Sequence, residues 1–213
     1  MSNAFVSGPD VSKVNPEATY GVQAGITADI QFGVLAFQPS LLFTQKGFKL
    51  SQSGTETFNG VPVTYSEKRT LHINYLELPL NFVYTTGGDH GFQVFVGPYV
   101  ALGVGGKTPY DSDVVIPGYI NQHESGTGAV RFANQEPTPN NNSSTSDNDA
   151  TVRRFDAGFN GGIGFRQGPV QVQAGYSIGL GNLVPLNSDG SDSGNKVKNG
   201  VLQLSANYFF NTK

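Results

Sequence analysis

Between Phe92 and Lys107 the chain alternates without a break. Phe92, Val94, Val96, Pro98, Val100, Leu102 and Val104 hold one parity, and Gln93, Phe95, Gly97, Tyr99, Ala101, Gly103 and Gly105 hold the other. A period of two puts these sets on opposite faces of a β-strand. The first face is apolar with no charge in it; the second is smaller and mixed. A soluble sandwich strand would carry charges on its outer face. Here the mixed face suits a crowded barrel interior, and the run exceeds the roughly 9–11 residues with which a strand crosses a bilayer.

The same alternation recurs along the chain. Tyr20, Val22, Ala24, Ile26, Ala28 and Ile30 oppose Gly21, Gln23, Gly25, Thr27 and Asp29; then Leu35, Phe37, Pro39, Leu41 and Phe43 oppose Ala36, Gln38, Ser40, Leu42, Thr44 and Lys46. Pro39 predicts a bulge or a gap in the ladder there. Leu76, Leu78, Leu80, Phe82 and Tyr84 oppose Tyr75, Glu77, Pro79 and Asn81. After Phe92–Lys107, Phe155 to Arg166 and Val170 to Leu180 form two strands about a Gln167-Gly168 turn, and the strand from Val201 to Phe210 is the last.

Connections alternate in length. Gln31–Gly33, Thr85–Gly91 and Gln167–Gly168 are tight, whereas 47–66, 108–152 and 181–199 are long and polar. In a meander every second connection lies at the same end, so the long loops share one side. That asymmetry belongs to outer-membrane barrels. Residues 1–19, with Gly8-Pro9-Asp10 and Asn15-Pro16, read as an N-terminal loop, and 20–213 as the barrel domain. The expected fold is all-β, an antiparallel up-and-down transmembrane β-barrel. About seven strands are counted where single-chain bacterial barrels have an even number, so the first strand is expected to be missing. That leaves a gap between the Tyr20–Ile30 and Val201–Phe210 strands, or one closed by residues 1–10, a neighbouring copy or strong curling.

Composition supports this picture. Only 14% of the 213 residues are charged, below the roughly 25% of soluble domains. Glycine (28), phenylalanine (15) and tyrosine (9) suit turn-rich, aromatic β-structure, with Tyr20, Phe43, Tyr84, Phe92 and Phe210 placed as interfacial girdles. A net charge of -3 gives no reason to expect a nucleic-acid partner, and the absence of cysteine excludes disulfides and thiolate metal sites. No signal-peptide pattern opens the chain, so an exported protein is expected to begin after processing or further in.

The alternation assigns faces. Val94, Val96, Val100, Leu102, Leu76, Leu78, Phe159, Ile163, Val172 and Ile178 are expected to face lipid. Glu77, Tyr99, Asp156, Asn160, Arg166, Gln93 and Gln173 form a polar network in the lumen, with Lys46 and Lys107 near loop ends. Buried charges need partners, and Glu77, Asp156, Arg166, Lys46 and Lys107 are expected to supply them to one another. Glu77 lies close to Tyr99 if the Thr85–Gly91 turn pairs Tyr84 with Phe92. His72, His90 and His123 share no metal-ligand spacing, and Asp189-Gly190-Ser191-Asp192 and Asp147-Asn148-Asp149 depart from the calcium-loop pattern. Gly161-Gly162-Ile163-Gly164 lies within an alternating strand and opens no helix, which rejects a phosphate loop. No catalytic group, cofactor or metal site is expected.

The chain resembles the PorT-like family of outer-membrane β-barrel proteins from Gram-negative bacteria. Gln38-Pro39-Ser40-Leu41-Leu42-Phe43-Thr44-Gln45-Lys46-Gly47, Tyr75-Leu76-Glu77-Leu78-Pro79-Leu80, Gly97-Pro98-Tyr99, Phe155-Asp156-Ala157-Gly158, Gly161-Gly162-Ile163-Gly164 and Tyr176-Ser177-Ile178-Gly179-Leu180 carry the resemblance. It departs at Ser40, where the family has an acidic residue, and nothing before Tyr20 matches the family's opening strand. The resemblance implies a small barrel of the eight-stranded type in the cell outer membrane, with some members linked to protein secretion. The expected function is therefore a non-enzymatic barrel that contacts outer-membrane lipid and acts as a structural or interaction protein through long extracellular loops. Its alternatives are a membrane-embedded barrel enzyme, which needs catalytic groups clustered at one rim, and a soluble lipocalin-like ligand-binding barrel, which reverses the polarity of the faces.

Overall fold

The computed structural model describes residues 1–9, 16–58, 60–137 and 148–210, and no helix occurs among them. Its strands are β1 (Ser2–Ser7), β2 (Glu17–Ala18), β3 (Gln23–Thr27), β4 (Ile30–Phe32), β5 (Leu35–Phe58), β6 (Val61–Thr85), β7 (His90–Ile116), β8 (Ile120–Phe132), β9 (Ala150–Val152), β10 (Phe155–Gln167), β11 (Val170–Gly179) and β12 (Lys196–Tyr208). They join into a 12-stranded sheet in the order β1-β12-β11-β10-β7-β6-β5-β2. β3 and β4 also pair with β5, while β8 lies on β7 and β9 on β8. All pairings are antiparallel except β8–β9.

The count of about seven is thus corrected to twelve among the described residues. The expected Tyr20–Ile30 strand is broken into β3 and β4, both laid on β5. Residues 1–19 are not all loop, because β1 pairs with β12 and β2 with β5. The expected long loops are, over much of their described length, continuations of strands. β5 and β6 stay paired from Leu35–Tyr84 out to Phe58–Val61, and β7 and β8 pair from Lys107–Ala129 to Ile116–Ile120. Strict apolar alternation is needed only at lipid depth; in water Thr, Ser, Tyr and Val continue a ladder with polar residues on both faces.

One proline interrupts this ladder, while Pro39 and Pro62 stand in regular rungs. β5–β6 pairing skips from Pro39–Leu80 to Leu42–Glu77, since Pro79 in the missing rungs has no N–H to give. At the other end, Tyr84 pairs with Val94 and not with Phe92. That slip of two residues keeps every side chain on its expected face, because the period is two. At Gly168 a φ of 57° makes the tight β10–β11 turn, a conformation open to glycine.

The sheet curls but does not close along a ladder. Its two ends meet at one point, where Ser2 and Thr19 exchange N–H···O bonds of 2.7 Å each. Below that bridge, toward the tight turns, the described residues show no pairing between β12 and β3.

Candidate functional site

Outside, the molecule presents an apolar band. Val94, Val96, Val100, Leu102, Leu76, Leu78, Phe159, Ile163, Val172 and Ile178 are all exposed, Ile163 by 66%. Inside, Glu77, Tyr99, Asp156, Asn160, Arg166, Gln93 and Gln173 are all buried. This polarity is the opposite of a lipocalin-like barrel, whose apolar side chains point inward.

The interior is filled in layers. At the tight-turn end Arg166 donates from Nη1 to Asp29 at 2.5 Å and from Nε to the Gly168 carbonyl at 3.0 Å. Its guanidinium covers the Phe209 ring, 4.7 Å from the centroid. Gln31 and Gln38 both donate to Asp29 at 2.9 Å. Next comes an amide belt. Gln171 donates to Gln93 at 2.8 Å and to Gln38 at 3.3 Å, and accepts from Asn207 at 3.0 Å. Gln93 in turn donates to Thr85 at 3.0 Å.

Above that belt Phe95 crosses the lumen. A Cβ on Gly175 would stand 2.6 Å from its ring and one on Gly162 2.7 Å, so the inward glycines of β10 and β11 make room for this one large side chain. Ser177 donates to Asn160 at 2.7 Å on the same level.

At mid-barrel lies a buried ion cluster. Lys46, 1% exposed, places Nζ 2.6 Å from Glu77 and 3.5 Å from Asp156. Tyr99 donates to Asp156 at 3.1 Å and Asn199 donates to it at 2.8 Å. The ammonium also sits 4.2 Å from the Tyr99 ring centroid, a cation–π contact between two buried side chains. Toward the outer hairpins the polar lumen gives way to an apolar plug. Phe48, Leu71, Ile73, Val130, Val152 and Leu183 pack there, the last two reaching in from β9 and the 180–195 connection.

An interior filled with polar side chains and a bare apolar exterior meet in one kind of structure, and the family comparison agrees. The outer membrane protein beta-barrel domain matches residues 1–184. The chain belongs to that family. No curated protein and no solved structure matches it.

In this outer-membrane barrel the inward charges Lys46, Glu77 and Asp156 partner one another, and Arg166 stands apart from them. Glu77 and Asp156 meet through Lys46, whereas Arg166 lies at the tight-turn end on Asp29. Lys46 is not at a loop end, since β5 runs on for twelve residues to Phe58. Its parity, shared with Gln38, Ser40 and Thr44, already marked it as inward. Asp29 likewise shares the parity of Gln23 and Thr27. Asn199 had no such signal, because 181–199 reads as loop. Glu77 stands opposite Ala101, and Tyr99 opposite Pro79, so the tyrosine hydroxyl reaches Asp156 instead of Glu77.

One grouping was invisible in spacing. The β7–β8 register sets His123 against Asp113, with Asp111 on the same face. Nδ1 lies 2.8 Å from Asp113 and Nε2 3.8 Å from Asp111, all three partly or fully exposed. Each ring nitrogen thus faces a carboxylate. The Asp113 hydrogen bond, then the charges of Asp111 and Asp113, hold the His123 pKa above the ordinary histidine value. Asp189 is an Asx-turn residue, bonding the Ser191 N–H and hydroxyl, which keeps its carboxyl below the usual range. Asp147 of the second acidic segment lies outside the described residues, and Asp149 pairs with Arg131 at 2.6 Å.

Proposed function

We propose that this protein is a barrel of the Gram-negative outer membrane, its lumen filled by side chains, that works as a structural and interaction protein, not as a channel or an enzyme. The observation carrying this reading is the lumen, crossed at successive levels by Arg166–Asp29, the glutamine belt, Phe95, Lys46–Glu77–Asp156 and an apolar plug. A narrow barrel is just wide enough for its side chains to fill. Buried charges spent on one another are held in place and have little freedom for acid–base work. The outward apolar band contacts lipid, and the β5–β6 and β7–β8 hairpins project a polar surface on which a protein partner can dock. The likeness to PorT-like barrels favours a partner connected with protein secretion.

Reconstitution in planar bilayers tests the filled lumen. Only brief, small current fluctuations are expected, and a large stable conductance step would overturn the reading. Photo-cross-linkers placed on the β5–β6 and β7–β8 hairpins in the native membrane, against the same probe on the tight turns, test the docking side.

A further inference from the structure

Charge does not balance at mid-barrel. One ammonium, Lys46, stands against two carboxylates, Glu77 and Asp156, and all three side chains are at most 3% exposed. Arg166, buried nearer the tight turns, is taken up by Asp29. Burying an uncompensated charge is costly, so such a group either acquires a further positive charge or gives up one of its own.

Asp156 shows where the further charge belongs. Its donors all reach one oxygen: Asn199 Nδ2 at 2.8 Å, the Tyr99 hydroxyl at 3.1 Å and Lys46 Nζ at 3.5 Å all lie on Oδ2. Oδ1 is buried and has no hydrogen-bond partner among the described residues. Two more buried oxygens share that condition, Asn199 Oδ1 and the Tyr75 hydroxyl. Tyr75, its ring centroid 5.4 Å from Lys46 Nζ, stands beside both Asn199 and Asp156. Buried polar atoms left without a partner call for a ligand, a role or strain to account for them.

Room lies against the same carboxylate oxygen. A Cβ built on Gly179, the last residue of β11, would stand 3.1 Å from Asp156 Oδ1, and so would one built on Gly181. Two missing side chains thus leave Oδ1 open to something small. Tyr75, Asp156 and Asn199 come from β6, β10 and β12, so no spacing in the sequence announces the group.

We propose that the lumen binds one sodium ion, held by Asp156 Oδ1 with Asn199 Oδ1 and the Tyr75 hydroxyl oxygen beside it. An oxygen-only donor set suits a hard cation. A single positive charge brings the Lys46 cluster to neutrality. A divalent ion would overshoot, and it calls for about six or more oxygen ligands. Water would partner the oxygens and leave the charge in place. A proton on Asp156 would cancel the charge and leave the other two oxygens as they are. The site rests on the burial of these side chains, and it stands whether or not the barrel docks a partner or passes current.

Urea unfolding of the reconstituted protein reads the site by linkage, because a ligand of the folded state alone stabilises it by mass action. Sodium chloride is compared at about 5 and about 150 mM, with the bulky cation N-methylglucamine making up the ionic strength. The folded-to-unfolded ratio should rise at least about fivefold with sodium. Asp156→Asn should lose that rise by removing the ligand, and Glu77→Gln by removing the excess charge. Asp29→Asn, at the other buried pair, should keep it. A rise of equal size in all four proteins is a general salt effect and overturns the proposal. So does an unaltered protein indifferent to sodium from about pH 6 to about pH 9, which assigns the neutralising charge to a proton. Should Asp156→Asn fail to fold, the Asn199 side-chain amide is followed by NMR in the unaltered protein during a sodium titration in micelles. A saturable shift that N-methylglucamine does not produce supports the site, and a signal that stays put throughout sinks it.

Discussion

The ammonium of Lys46 lies 2.6 Å from the Glu77 carboxylate at the centre of the barrel, both side chains almost fully buried. Removing the cation would leave Glu77 and Asp156 facing each other without a counter-charge. Lys46→Met should therefore destabilise the fold by about 3–5 kcal/mol, the usual cost of breaking a buried pair. Glu77→Gln should cost less, because Lys46 keeps Asp156 at 3.5 Å. Urea unfolding of the reconstituted protein measures both. Equal effects would mean that the cluster is not organised around Lys46.

The tight-turn end depends on Asp29, which accepts from Arg166, Gln31 and Gln38. Asp29→Asn should loosen β3 and β4 by about 1–3 kcal/mol, the scale of a charged hydrogen bond left unmade. Conductance should stay absent in this variant, because Phe95 and the Lys46 cluster still block the lumen above it. Bilayer recording and proteolysis near Asp29, done side by side, separate the two effects.

Gly175 faces the Phe95 ring across the lumen. Gly175→Ala should cost about 1–3 kcal/mol through overpacking. Phe95→Leu should relieve most of that in the double variant, measured as a thermodynamic cycle. A purely backbone role for Gly175 would show no rescue.

His123 holds a raised pKa because Asp113 and Asp111 favour its charged form. A raised folded-state pKa gives stability that is complete below the unfolded value of about 6.5 and lost as pH rises through the folded value. Protection of amides near the β7–β8 hairpin tip, taken relative to their intrinsic base-catalysed exchange at each pH, should fall over that rise. Asp113→Asn should move the His123 NMR titration back toward the ordinary range. An unchanged titration would place the two side chains apart in solution.

The chain contains no tryptophan, so a single introduced one reports cleanly. Ile163→Trp and Val100→Trp should be quenched by brominated lipid and little by acrylamide, since both positions lie in the outward apolar band. Strong acrylamide quenching at both would remove lipid from that face.

Alternation alone determined which face each strand residue takes. Period two is a local property, and even the two-residue slip that pairs Tyr84 with Val94 leaves it intact. Gln93, Glu77, Asp156 and Arg166 were legible as inward for that reason. Pairing across strands is not local, and only the tertiary structure decided it. Lys46 joins Glu77 and Asp156 because β5, β6 and β10 curl around one axis, and Arg166 finds Asp29 137 residues away. His123 meets Asp113 through a hairpin whose polar residues read as loop. The opening below Ser2 has the same origin: an odd strand count hinted at it, but its place in the sheet comes from Ser2 standing between Val201 and Thr19.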